Sequence, residues 1–189
     1  MSEPRQILLG LGSNRDALAN IRRCLAALEA RFGAIQVSPV YQSEDIQSID
    51  IESTGANRPD AGSASVFHNM AVALFSDAAP TEIKAWCMAQ ERAQGRLPKS
   101  AGATTHPIDI DLLAVGELCG EFTGPGGRAF ALPHPDITAY AFVLRPLAEL
   151  VPRAHHPRIG ETYAELWASA RATASPRLTA ICLPSSAPL

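Results

Sequence analysis

The chain opens on a short apolar run, Gln6-Ile-Leu-Leu-Gly-Leu11, which stops at Gly12-Ser13-Asn14, a turn followed by residue types that cap helices. The pattern predicts a first strand over 6–11. Leu18, Ile21, Leu25, Leu28 and Phe32 then recur at helical spacing, with Arg22, Arg23 and Glu29 on the other side and Gly33 where a C-cap falls. Ala34 to Tyr41 reads as a second strand in which Pro39 points to an edge or irregular position. Phe67 to Phe75 is a stronger, more apolar strand. A second helix starts at Pro80, repeats through Ile83, Trp86, Cys87 and Gln90 to Arg92, and stops at Gly95. Ile108 to Val115 is the next strand.

The order strand, helix, strand, strand, helix, strand is the split βαβ pattern of ferredoxin-like α/β (α+β) sandwiches. It predicts a mixed or antiparallel sheet with both helices on one face. Beyond it, 142–150 and 163–170 read as short helices, 178–183 as a final strand and 184–189 as a frayed tail. Between the second and third strands, 44–65 is rich in Ser, Asp, Gly and Pro, the composition of a functional or a disordered loop, and it reads as a long mobile flap.

Composition narrows the class. With 189 residues, 47% of them apolar, the chain is long enough to bury a full core as one domain over 1–189. A net charge of −3 supplies no general basic field, which argues against a nucleic-acid partner. Cys24, Cys87, Cys119 and Cys182 are scattered with no C-x-x-C spacing, and two of them sit in helical patterns as small apolar fillers, so they read as reduced thiols. The polar start Met1-Ser-Glu-Pro-Arg5 and the lack of any long apolar stretch predict a cytoplasmic protein with no membrane partner, its oligomeric state left open between monomer and homodimer.

The candidate chemistry centres on Pro107-Ile-Asp-Ile-Asp-Leu-Leu113. Side chains alternate along a strand, so Asp109 and Asp111 project from one face with Cα atoms about 6.5 to 7 Å apart. Mg²⁺ takes one or two protein carboxylates and completes its shell with water and substrate phosphates, so the pair points to phosphoryl or pyrophosphoryl transfer. A bare D-x-D is equally common as a solvated strand face, and context has to decide. Just upstream, Gly95-Arg-Leu-Pro-Lys-Ser-Ala-Gly-Ala-Thr-Thr-His106 brings Arg96, Lys99 and His106 within reach of phosphates bound there. His155-His156, by contrast, reads as a surface turn, since adjacent residues seldom converge on one ion.

Four motifs in order carry a resemblance covering roughly Ile7 to Val151. They are Leu11-Gly-Ser-Asn14, Phe67-His-Asn69, Glu91 and Gly95-Arg96 leading to Ile108-Asp-Ile-Asp-Leu-Leu113, and Leu132-Pro-His134 followed by Phe142-Val-Leu-Arg-Pro-Leu147. On these the chain resembles the hydroxymethyl-dihydropterin pyrophosphokinases of folate biosynthesis. The resemblance implies that ATP gives its β,γ-pyrophosphate to the hydroxymethyl group of a dihydropterin. Two Mg²⁺ ions are then held by Asp109 and Asp111, with Arg96 completing the catalytic group. It also implies a pterin ring between Phe67 and Phe142, bonded by Asn69 and by loop backbone at Ser43 and Ile46, with Gly12 alongside. ATP then lies against Glu91, Arg96, Lys99, His106, Leu112, Arg128 and His134.

The departures fall on the phosphate side. Family members usually carry arginines where this chain has Pro98, His106 and Tyr140. They often have an aromatic late in the basic loop, here Ala101 to Thr105, and Pro-Pro where this chain has Glu44-Asp45 in a loop extended by about a dozen residues. Each lost guanidinium removes a fixed charge and a bidentate phosphate fork. Arg96, Lys99, Arg128 and Arg145 remain as cations for a rewired clamp. The alternative reading is a divergent paralogue that binds a pterin or related heterocycle without transfer, or that uses another substrate. A metal-dependent nuclease on the same carboxylates is disfavoured by the acidic charge.

Overall fold

The computed structural model describes residues 3–44, 66–97, 105–171 and 178–181. Ile46, Pro98, Lys99, Cys182, the predicted flap beyond Glu44 and most of the basic loop lie outside the described residues.

Strand β1 (Arg5–Ser13) runs two residues past its apolar run, because Gly12 and Ser13 still pair with Asn69 and His68 of the central strand. Helix α1 (Ala17–Phe32) consequently starts at Asp16, in a left-handed conformation at φ 45°, and not at a Ser13 or Asn14 cap. It ends at Gly33 with φ 82°, a geometry that glycine adopts without a Cβ penalty. The second predicted strand is two pieces, β2 (Ile35–Val37) and β3 (Val40–Glu44). Pro39 has no N–H for a ladder. Ser38 bridges the gap instead: its N–H donates to the Ala71 carbonyl at 3.0 Å and its Oγ accepts from the Ala71 N–H at 2.9 Å.

Strand β4 (Val66–Ser76), helix α2 (Pro80–Ala93) and strand β5 (Asp109–Val115) follow as the periodicity predicts. A hairpin of β6 (Gly120–Thr123) and β7 (Ala129–Leu132), stacked through Phe122 and Phe130 at 5.6 Å, and the short α3 (Asp136–Ala139) were not foreseen. The helices α4 (Ala141–Leu150) and α5 (Tyr163–Ala170) and the strand β8 (Thr179–Ile181) close the described chain.

The main sheet has the order β5-β1-β4-β3-β8 with β2 also beside β4, and every pairing is antiparallel. This is the ferredoxin-like arrangement. Ile7, Leu9 and Leu11 alternate onto the face covered by α1 and α2, where Ile21, Cys24, Leu28, Ile83 and Cys87 meet Met70, Val72, Ile110 and Leu112. Leu8, Ala71, Ala73 and Leu113 point the other way and are covered by Ile137, Leu144, Leu147 and Tyr163. The C-terminal helices thus add a second layer on the face that the ferredoxin-like unit leaves bare. Burying these side chains on both faces is the main driving force holding the sheet. Among the described residues, no helix is long and apolar enough to cross a membrane.

Candidate active site

The second layer stops short of one end of the sheet, and four of the predicted site residues, Gly12, Phe67, Asn69 and Asp109, meet there. Gly12 of β1 lies directly across from Asn69 on β4 and from Asp109 on β5, and cross-strand partners share a face. A Cβ on Gly12 would stand 3.3 Å from Asn69 Oδ1, 3.8 Å from Asp109 Cβ and 4.0 Å from Phe67 Cδ1. The missing side chain is what lets an amide, a carboxylate and an aromatic ring converge. Asn69 is buried and donates from Nδ2 to Ser43 Oγ at 2.8 Å, so β3 and β4 jointly set the amide's orientation.

On β5 the alternation holds. Ile110 and Leu112 are in the core, while the Asp109 and Asp111 side chains stay 33% and 39% exposed. Leu112, read from the resemblance as a nucleotide contact, has its side chain in the core. Arg96 Nη1 donates to Glu91 Oε1 at 2.6 Å and to Asp109 Oδ1. The same Glu91 oxygen accepts the Ile110 N–H at 2.8 Å, between the two aspartates. Burial pushes the Glu91 carboxyl up to about 7. Burial would raise Asp109 too, but the Arg96 guanidinium overrides it and holds that carboxyl below its usual range. Asp111 is raised, first by burial and then by the charge of Asp109, with Lys84 Nζ at 3.8 Å as a counter-charge. His134 is anchored beside the pair: its N–H donates to the Leu113 carbonyl at 2.7 Å and its Nδ1 accepts from the Asp136 N–H at 3.3 Å.

The Leu-Gly-Ser-Asn motif has a mechanical role that its turn-like look conceals. Ser13 Oγ donates to the Pro107 carbonyl at 2.7 Å. Asn14 Oδ1 accepts the His106 N–H at 2.6 Å, and the Asn14 N–H donates back to the His106 carbonyl at 3.1 Å. These bonds pin the segment leading into β5 and so fix Asp109 against Gly12.

Two of the positions that usually hold arginine carry rings here, and each ring lies against an aromatic of the predicted pterin pocket. His106 sits 5.8 Å from the Phe67 ring, and Tyr140 stacks on Phe142 at 5.1 Å and 20°. Arg145 is committed elsewhere, lying 4.5 Å over the Tyr41 ring and donating to the Leu178 carbonyl at 3.2 Å. Arg128 is exposed on the β6–β7 turn, where its carbonyl accepts the Gly124 N–H at 2.8 Å. His156 forms a turn as expected but is buried, its Nδ1 accepting the N–H groups of Arg158 and Ile159 at 3.3 Å. Sequence reasoning missed Lys84, because a lone lysine in an amphipathic helix carries the same signal as any solvated one.

Among the described residues, no group of three or more His, Cys, Asp or Glu converges as a metal cage. Mg²⁺ is bound by one or two protein carboxylates and completes its shell with water and phosphate oxygens. Asp109 and Asp111 supply oxygen donors on one half-open face, each already facing a positive side chain. The donor set fits a divalent cation.

A sequence model of the 7,8-dihydro-6-hydroxymethylpterin-pyrophosphokinase (HPPK) family matches residues 8–152. The chain is 32% identical over 153 residues to the 2-amino-4-hydroxy-6-hydroxymethyldihydropteridine pyrophosphokinase of Porphyromonas gingivalis, in each of two strains, covering 79% of this chain and 92% of the relative. Solved Plasmodium falciparum HPPK-DHPS structures share the fold. The wild type superposes at a TM-score of 0.64 with 13% identity over 89% of this chain, and a triple mutant at 0.65 with 13% identity over 88%. This chain spans 45% and 42% of the length of those two chains. With the family model spanning most of its length and a relative of nearly full coverage, the chain belongs to the 7,8-dihydro-6-hydroxymethylpterin-pyrophosphokinase family.

Proposed function

We propose that this protein transfers pyrophosphate from ATP to the hydroxymethyl group of 6-hydroxymethyl-7,8-dihydropterin, giving AMP and the pterin diphosphate. The observation that carries the reading is the Asn69-Gly12-Asp109 row, which puts a buried amide beside a metal-type carboxylate pair at the open end of one sheet. A pterin has a flat ring with an amide-like edge. Asn69, oriented by Ser43, is placed to bond that edge, and Phe67 and Phe142 are the rings to flank its faces. The hydroxymethyl oxygen then bonds to the β-phosphorus, the bond from that phosphorus to the α-bridging oxygen breaks, AMP departs and the hydroxyl proton is released. Bound Mg²⁺, two ions with ATP, would supply charge neutralisation on the phosphates from Asp109 and Asp111. The chain's own task is positioning: Glu91 holds β5 and Arg96 together, and the Ser13 and Asn14 bonds hold the Asp109 end of that strand. These soluble substrates suit a cytoplasmic protein.

The test is AMP release, followed by chromatography, from ATP, Mg²⁺ and the dihydropterin. Chelation of Mg²⁺ is expected to stop it and added Mg²⁺ to restore it. No AMP at high enzyme concentration would sink the reading.

A second expectation concerns Gly12→Ala. Its new methyl presses on Asn69 Oδ1, so dihydropterin affinity should fall about tenfold, the equivalent of one neutral hydrogen bond. Fluorescence titration reads this, and unchanged affinity would remove Asn69 from the pocket.

The rings of His106 and Tyr140 at arginine positions favour one other reading, a protein that binds the heterocycle without transfer. Calorimetry separates the two. This version binds pterin with no gain from Mg-ATP, and a ternary complex counts against it.

A further inference from the structure

Among the described residues two positive side chains, Arg96 and Lys84, are ion-paired with the aspartates, and only Arg96 belongs to the family motif. Arg96 is engaged twice over, by Glu91 and by Asp109. A polyphosphate bound at Asp109 and Asp111 brings several negative charges to a site where His106 and Tyr140 have replaced two guanidinium groups with rings. Lys84 stands at the other end of the pair. It lies on α2 two turns before Glu91, so both project toward β5. Its Nζ is 3.8 Å from Asp111 Oδ1, and its side chain is only 21% exposed. The core residues Ile83 and Cys87 anchor that part of the helix, so the lysine stem emerges from a fixed base.

We propose that Lys84 is a phosphate-binding residue of this chain, taking over charge that the absent arginines would have supplied. An ammonium on a four-carbon stem is a mobile point charge and needs no bidentate geometry. Held by Asp111 while the site is empty of ligand, it swings to a phosphate oxygen once that carboxylate takes up a metal ion. The inference rests on the site's being an ATP site.

The experiment is calorimetric titration of the whole chain with α,β-methylene ATP and Mg²⁺, whose methylene replaces the bond that breaks. AMP and the dihydropterin serve as controls. Lys84→Met is expected to weaken the analogue about tenfold, the effect of one charge-assisted contact. AMP and pterin affinity should stay within about twofold, since neither control presents β- or γ-phosphate. Lys84→Arg should recover most of the loss. Unchanged analogue affinity in Lys84→Met, or a fall in melting temperature with no fall in affinity, would overturn the inference alone. Wild-type protein that binds no Mg-nucleotide would overturn the reading of the site along with it.

Discussion

Asp111→Ala is expected to slow AMP formation roughly a thousandfold without unfolding the protein, because a carboxylate that neutralises phosphate through a metal contributes several kcal/mol to the transition state and each 1.36 kcal/mol is a factor of ten. The side chain points out of the sheet and is 39% exposed, so its removal leaves no cavity in the core. Burial and the charge of Asp109 disfavour its ionised form, so the folded state holds that charge against its preference. A group with a raised folded pKa adds stability only at low pH, so deleting it should leave the melting temperature at pH 8 unchanged or slightly higher. Lower activity with equal or higher thermal stability is a combination that general damage to the fold does not produce. A variant retaining more than about a tenth of the wild-type rate would show that Asp111 does not serve the chemistry.

Arg96→Met is expected to lose both stability and activity. Removing the guanidinium leaves Glu91 and Asp109 side by side, with the Glu91 side chain only 15% exposed and, among the described residues, no other cation bonded to either. Breaking a fully buried pair costs about 3–5 kcal/mol, and the partial exposure of Asp109 reduces that to about 1–3 kcal/mol. For a chain of this size that is a drop of roughly 3 to 10 °C in melting temperature. The pH dependence has a definite sign. Glu91 sets the window: burial raises its carboxyl to about 7 even with Arg96 beside it, and loss of that cation raises it further, so below that range the variant's Glu91 is protonated and no longer repels Asp109, which stays ionised. The deficit of the variant should be largest near pH 8 and shrink toward pH 5, where protonation of one carboxyl relieves the repulsion. Thermal scans at the two pH values measure it, and equal melting temperatures at pH 8 would contradict the network.

Much of this was legible in the chain, for physical reasons that differ by element. The β5 alternation of Asp109, Ile110, Asp111 and Leu112 is a period-two signal, and it placed both carboxylates on one face correctly. Helices α1 and α2 bury one stripe each and end on Gly33 and, just past α2, Gly95, so their periodicity survived translation into structure. The β6–β7 hairpin was illegible because four-residue strands framed by glycines are too short to show a period. The break at Ser38-Pro39 was half visible. Proline forecast the irregularity, but nothing in the sequence tells that Ser38 takes both bonds to Ala71 across the gap. At the site, Asn69 stood out as an amide in an apolar strand. Ser13 and Asn14 looked like caps because the same oxygen atoms that cap helices also clamp a distant backbone. Lys84 was invisible because its meaning lies in a partner on another element.

The single Glu91 oxygen that accepts from both the β5 backbone and Arg96 has a mechanical consequence. It bolts helix and strand to a common mount at Ile110, midway between the two aspartates. A displacement of α2 is then delivered to both carboxylates at once, as a shift of the whole pair with its internal gauge preserved. Substitutions on the outer surface of α2, far from any ligand, would therefore retune the site by translation and leave the spacing of its two oxygen donors untouched.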